Sequence, residues 1–230
     1  MKYGWFLLVG LITQAWFPAT ALWGAEDRPN ILWLIAEDFG PELSCYGHPE
    51  VWTPNIDSLA AEGVRFTHAY TVTPVCSTSR SSFMTGMHAQ TIGAHNHRSN
   101  RDGGHPLPAG VRLLTDWLRE AGYFTANIRE FPQELGFKGT GKTDWNFTYP
   151  GKPFDTNRWM DLPKNQPFYA QVNFSETHRG GAFDNAHKAI EKTADPEKVK
   201  FPPYYPDHLI TREDWAQYLN TAMSLDQKIG

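Results

Sequence analysis

Residues 30–36 (NILWLIA) form an unbroken apolar run between turn-forming residues, and two acids, Glu37 and Asp38, follow it at once. A run without alternation suits a strand buried on both faces of a parallel sheet, because a strand with one wet face would alternate apolar and polar residues. Parallel strands need crossover connections, usually helices, and the sequence supplies them. Thr53 and Pro54 open one by capping and pre-setting its first turn, Ile56, Leu59 and Ala60 give it a stripe, and Gly63 ends it. Residues 64–72 read as the next strand. Residues 75–86 read as a turn into a helix that begins near Cys76 and points Phe83, Met84 and Met87 inward. A helix over 111–121 carries Leu113, Leu114, Trp117 and Leu118 at helical spacing and stops at Gly122.

Residues 123–128 and 168–174 read as further strands, and 129–166, rich in Gly, Pro, Lys and Asp, as long functional loops. Residues 211–229 form an amphipathic helix through Trp215, Ala216, Leu219, Ala222, Met223 and Ile229. This alternation predicts an α/β fold, a mostly parallel sheet sandwiched by helices, with its active site at the carboxyl edge of the strands. Because the chain stops one residue after its last helix, residues 22–230 are expected to be the N-terminal part of a larger catalytic domain whose C-terminal part is missing.

Ahead of that domain, Lys2 precedes an apolar run to Phe17 and then Ala19-Thr20-Ala21, the small-residue pattern that signal peptidase cuts. Gln14 and Pro18 interrupt the run, which falls short of the roughly 20 apolar residues a spanning helix needs. Residues 1–21 are therefore expected to be a signal peptide, giving a periplasmic or secreted protein with no stable membrane insertion after cleavage. A net charge of −4 and a pI near 6.1 create no field that would gather nucleic acid, so a polyanionic substrate needs a local basic pocket. Nine Trp would suit platforms for sugar rings, although most large aromatics fill cores. In an oxidising compartment, cysteine arithmetic alone favours a Cys45–Cys76 disulfide.

Glu37 and Asp38 sit where a hard cation can be held by oxygen ligands, though the pair alone reads more readily as a loop or helix cap. His88, His95, His97 and His105 are interspersed with Arg98 and Arg101. The His-x-His spacing is compatible with zinc, but no organised ligand set accompanies it, and the loop reads either as solvent-exposed or as a pocket wall for sulfate and carboxylate groups.

Three segments, RPNILWLIAED, TPNIDSLAAEGVRFTHAY and PVCSTSRSSFMTG, resemble in order and spacing the type I sulfatases of the alkaline-phosphatase superfamily. Their signature is Cys-x-Pro-x-Arg, or Ala for Pro, with the Cys converted to formylglycine by a formylglycine-generating maturation enzyme. The resemblance implies that Cys76 becomes an aldehyde that hydrates to a gem-diol. A divalent cation, Ca2+ with Mg2+ as an alternative, eases ionisation of one hydroxyl, with Glu37, Asp38 and residue 76 as its ligands. That oxygen attacks sulfur and the sugar oxygen leaves with a proton. The second hydroxyl then expels sulfate as the aldehyde re-forms. A helix start at residue 76 would add backbone N–H groups and a positive dipole end toward the sulfate. Arg80, one turn on, would steady the aldehyde oxygens.

The family's Gly-Lys-x-His segment is approximated by Gly141-Lys142-Thr143-Asp144, which carries Lys142 over as a sulfate or gem-diol contact and replaces the His by Asp144, a candidate substrate ligand. His178 in PFYAQVNFSETHR matches the sulfate-binding His, able to donate a proton to the leaving group. Thr78 departs from the signature's Pro or Ala. Without conversion, the chain would be an inactive sulfoglycan-binding relative. AEDFGPELSCYG, TIGAHNHR, FSETHR and PPYYPDHLITREDWAQYL resemble the heparan N-sulfatase (sulfamidase) group and its bacterial relatives, which implies a sulfated glycosaminoglycan substrate read by His95, His97, Arg98 and Asp144. Hydrolysis of phosphoesters or phosphonates is the alternative within the superfamily. Cys76 argues against it, since those relatives mostly use Thr or Ser. The family completes its cation site with later residues, so these 230 residues alone are expected to bind calcium weakly and turn over little.

Overall fold

The computed structural model describes residues 28–100 and 105–230, so the signal-peptide reading and Arg101 lie outside the described residues. The elements run β1 (Ile31–Ile35), α1 (Pro54–Glu62), α2 (Cys76–Thr85), α3 (Leu114–Glu120), β2 (Phe124–Glu130), β3 (Thr156–Arg158), β4 (Phe168–Asn173), α4 (Gly181–Asn185) and α5 (Leu209–Ile229). The four strands make one parallel sheet in the order β1-β4-β2-β3. The chain leaves β1, forms three helices and returns as β2 two positions away, and β4 later fills the gap. Residues following β1 and β4 therefore emerge side by side at the carboxyl edge, as ligand sites in such sheets require.

The sheet is packed on both faces, as the α/β reading expects. Trp33 and Tyr169 point toward Met84 of α2 and Leu113 and Leu114 at the start of α3. Leu34, Ala126, Ile128, Ala170 and Val172 point the other way, against Leu225 of α5. This is the period-2 alternation of a strand, with both sides apolar because both are covered. α5 buries Ala216, Leu219, Ala222 and Met223, the stripe read from its sequence. No helix among the described residues is long and apolar enough to cross a membrane.

Four local readings need correction. β1 is not buried on both faces along its length. Among the described residues it is an edge strand bonded only to β4, and Leu32 is 48% exposed. Residues 64–72 form no strand, because no neighbour offers its backbone a ladder, and Val64, Phe66 and Tyr70 lie exposed. Thr53 occupies the N-cap position of α1 without capping it. Its hydroxyl engages Ser44 and Asp57, and Asp226 of α5 accepts the Ile56 N–H at 2.8 Å and the Asn55 N–H at 3.3 Å instead. Leu59, placed in the α1 stripe, faces solvent. The stretch 129–166 is mostly loop, but it also contributes β3 at the far edge of the sheet.

Asp155 ties that edge together. Its carboxylate accepts the Thr125 N–H and hydroxyl, each at 2.8 Å, and Arg119 Nε at 3.1 Å, joining β2, α3 and the start of β3. Partial burial pushes the Asp155 carboxyl up, but these hydrogen bonds and the Arg119 charge outweigh it and hold the carboxyl below its ordinary 3.8. A depressed carboxyl stabilises the fold above the unfolded value and loses that contribution as pH falls through the folded one. Asp155→Asn is expected to lower the thermal midpoint at pH 7, with the difference from wild type closing as pH drops below 3.8. Melting curves across that range check it, and a pH-independent difference would show that the charge is immaterial.

Candidate active site

Four chain segments converge at the carboxyl edge. Glu37 and Asp38 follow β1, His178 follows β4, Lys142 comes from the loop after β2, and Cys76 is the first residue of α2. Helix starts leave backbone N–H groups without intrahelical partners and carry the positive dipole end, so α2 aims a positive potential at whatever sits beside residue 76. A cavity of about 400 Å³ opens there, lined by Trp33, Glu37, Asp38, Cys76 and Arg80 among others.

Glu37 is the electrostatic centre. Its carboxylate is buried, 2.5 Å from Lys142 Nζ and 3.5 Å from Arg80 Nη2. Thr177 donates to its backbone carbonyl. A buried carboxylate is costly unless paired and hydrogen-bonded, and two cations meet that requirement here. Asp38 is exposed, with Oδ1 3.9 Å from the Cys76 sulfur and backbone φ of 47°, in the left-handed region. His178 Nε2 faces both acids, 3.9 Å from Glu37 and 3.8 Å from Asp38. Its Nδ1 lies 3.1 Å from the Arg179 carbonyl, which can only accept, so the Nδ1 proton is held there and Nε2 is the nitrogen turned to the cavity.

Arg80 lines the same cavity as Cys76 and is itself buried. It runs beneath the site, donating to Asn173 Oδ1 at 2.7 Å and to the Lys142 carbonyl at 3.2 Å. Burial lowers its proton affinity, while Glu37 acts in the opposite sense. Asn173 in turn donates to Asn127, and Asn127 to the Gly141 carbonyl, so a buried polar ladder joins the end of β4 and the middle of β2 to the Lys142 loop. The sequence reading missed both asparagines. The available signal was an amide within each apolar strand, in TANI and QVN.

α2 is buried although its residues are mainly Ser and Thr, because its polar face is wired to neighbouring loops. Ser77 Oγ accepts the Arg98 N–H at 3.0 Å and lies 3.0 Å from His97 Nδ1. Ser81 Oγ accepts the Asn146 N–H at 2.9 Å, and the Asn146 amide donates to the Asn96 carbonyl at 2.5 Å. Thr78, at the position of the signature's Pro or Ala, fits inside the helix with its hydroxyl 3.5 Å from the His95 carbonyl.

The loop carrying His95, His97 and Arg98 therefore stands beside the residue after Cys76, with all three exposed. Arg98 grips Asp144 bidentately at 3.1 and 2.9 Å, and Lys142 Nζ lies 3.8 Å from the same carboxylate. Asp38, Arg98 and Asp144 are the non-glycine residues with positive φ among those described, and all three belong to this site. Such backbone costs energy and persists where surrounding contacts impose it.

The disulfide expected from cysteine arithmetic is absent: Cys45 and Cys76 are both free. Cys45 sits beside Asp57, whereas Cys76 faces the cavity. Among the described residues, His95 and His97 gather no zinc ligands. Among the described residues, the group whose donor atoms approach as a metal site would is Glu37, Cys76 and His178, all within 4.8 Å of one another. With oxygen in place of sulfur at residue 76, the two carboxylates and that oxygen form a hard donor set fitting part of the roughly six to eight oxygen ligands calcium takes.

Cys76 at a helix start, facing acids at a strand end and flanked by Lys142 and His178, is an arrangement suited to an anionic tetrahedral group. The chain belongs to the sulfatase family, whose model matches residues 29–230. It is 30% identical over 250 aligned positions to an ulvan-active sulfatase of Formosa agariphila, covering 89% of this chain and 40% of that protein. It is 38% identical over 124 positions to an N-acetylgalactosamine-6-O-sulfatase of Bacteroides thetaiotaomicron, covering 53% of this chain and 23% of that protein. The chain thus spans less than half the length of these curated relatives. In fold it matches a structure solved with its substrate D-glucosamine-2-N,6-O-disulfate at a TM-score of 0.60 and 17% identity, covering 89% of this chain and 61% of that one. A 2-O glycosaminoglycan sulfatase matches at 0.59 and 17%, over 88% and 53%.

The Arg80–Glu37 pair yields a direct test. Arg80→Ala leaves a buried carboxylate short of a cation, and breaking such pairs costs about 3 kcal/mol. Urea unfolding monitored by tryptophan fluorescence should show that loss. A change below about 1 kcal/mol, the range of exposed pairs, would mean the site is open to water.

Proposed function

We propose that this chain is part of an exported sulfatase that hydrolyses sulfate esters or sulfamates on glycosaminoglycan-type sugars, using formylglycine derived from Cys76 and a divalent cation. The observation that carries the reading is the placement of Cys76 at the first turn of α2, facing the Glu37-Asp38 pair across one cavity. Cys76, Glu37 and Asp38 would hold calcium, which when bound would lower the proton affinity of the attacking oxygen and screen sulfate charge.

The remaining roles rest on this chain's own groups. Lys142, anchored by Glu37, presents its ammonium to a sulfate oxygen. His178, fixed through Nδ1–H, in its doubly protonated imidazolium form donates the Nε2 proton to the leaving oxygen or nitrogen as the bond to sulfur breaks. Arg80 pairs with Glu37 and holds the Lys142 loop in place. His95, His97 and Arg98 form the rim that meets the sugar, with Asp144 orienting Arg98.

Preference for a sulfamate, as in heparan N-sulfatases, rests on the resemblance of the TIGAHNHR and FSETHR segments to that group. Phosphoryl transfer is disfavoured because residue 76 is a free thiol-bearing Cys rather than Thr or Ser. Co-expression with a formylglycine-generating enzyme, followed by peptide mass spectrometry across residue 76, tests the assignment. The expected product is the lighter aldehyde, trapped as a hydrazone so that its hydrate, nearly equal in mass to the thiol form, is not mistaken for it, and a wholly unmodified thiol would overturn the assignment.

A further inference from the structure

From Phe39, at the wall of the Cys76 cavity, a succession of aromatic rings leads to the surface. Phe39, part of the cavity lining, has its ring centroid 5.8 Å from Tyr218, which lies 5.0 Å from Trp215. Trp215 is 5.8 Å from Tyr205, and Tyr205 is 4.9 Å from Tyr204. Exposure rises along the series: the first three rings are half-buried against the core, Tyr205 is 46% exposed and Tyr204 is 78% exposed.

This strip is held firmly. The Tyr218 hydroxyl donates to Glu42 at 2.7 Å and accepts the Gly40 N–H at 2.9 Å. Asp207, two residues after Tyr205, is clamped by Arg212 at 2.5 and 2.6 Å, and Tyr205 N–H closes a turn on the Pro202 carbonyl at 3.1 Å. The indole N–H of Trp215 is buried without an acceptor, so aromatic contact rather than hydrogen bonding keeps that ring in place. Nearby charges are also paired, Arg212 with Asp207 and Arg179 with Asp214 at 2.8 and 2.7 Å. The strip is therefore a succession of rings tilted 46–52° to one another, with its Arg212 and Arg179 charges paired.

Such a surface suits the face of a pyranose ring. Axial C–H groups are apolar and weakly positive, and aromatic faces are negative. We propose that Tyr204, Tyr205 and Trp215 form a subsite that stacks the pyranose residues next to the sulfated one, so that the preferred ligand is an oligosaccharide lying from cavity to rim. The proposal rests on the sulfated-glycan reading above and adds that recognition beyond the reacting sugar is by ring shape rather than by further sulfates.

Titration calorimetry of the intact chain tests it, using chondroitin- and heparan-type hexasaccharides, their desulfated forms and the matching sulfated monosaccharides. The sulfated hexasaccharide that fits is expected to bind about tenfold tighter than its monosaccharide, a gain of the size one or two aromatic contacts supply. Tyr204→Ala and Tyr205→Ala should each remove much of that gain while leaving monosaccharide affinity and circular dichroism unchanged, and Tyr205→Phe should retain it. Absence of a gain with length, or a gain that survives both alanine variants, overturns the subsite. If desulfated hexasaccharides bind as tightly as sulfated ones and still need the tyrosines, the subsite stands and the sulfatase reading fails. If no oligosaccharide binds, the subsite is wrong.

Discussion

A single buried carboxylate, Glu37 held between Lys142 and Arg80, is the interaction on which the arrangement depends. It lies where β1 ends, and its two cations come from the loop after β2 and from the helix that starts at Cys76. One ion pair and its neighbour therefore fix the mutual position of three chain segments far apart in sequence. In a poorly hydrated site this geometry is not easily exchanged for another, because releasing either cation would leave charge unpaired and buried.

Two kinds of rigidity surround that centre. Beneath it, the amides of Asn127 and Asn173 carry hydrogen bonding across adjacent strands, so Arg80 and the Lys142 loop share one support. Above it, Ser77 and Asn146 tie the His95–His97–Arg98 loop to α2. Positive backbone angles at Asp38, Arg98 and Asp144 are the accompanying cost, gathered where side chains must converge rather than where the chain would relax.

Much of this was legible in the sequence. β1, β2, β4 and α5 announce themselves through unbroken or helically spaced apolar residues, and the helix start at Cys76 through its motif. The α/β architecture follows from their alternation. Residues 64–72 misled, because β-forming side chains cannot make a strand without a neighbour to bond. The capping of α1 by Asp226 was invisible, since the acid lies on a helix more than 160 positions later. The free state of both cysteines was likewise hidden, because pairing depends on distance rather than on number. Lys142 could be placed through a motif, but its partner Glu37 could be named only as a metal ligand, and the asparagine ladder carries no motif at all.

The claim that Glu37 and Asp38 serve one cation site facing residue 76 can be tested without turnover. Terbium, a calcium-like ion, should luminesce when bound near Trp33, which lines the same cavity, and calcium should displace it. The account predicts that Asp38→Asn and Glu37→Gln each weaken binding by about tenfold or more, since removing a ligand charge lowers affinity for a hard cation. Wild-type affinity in both folded variants would contradict it.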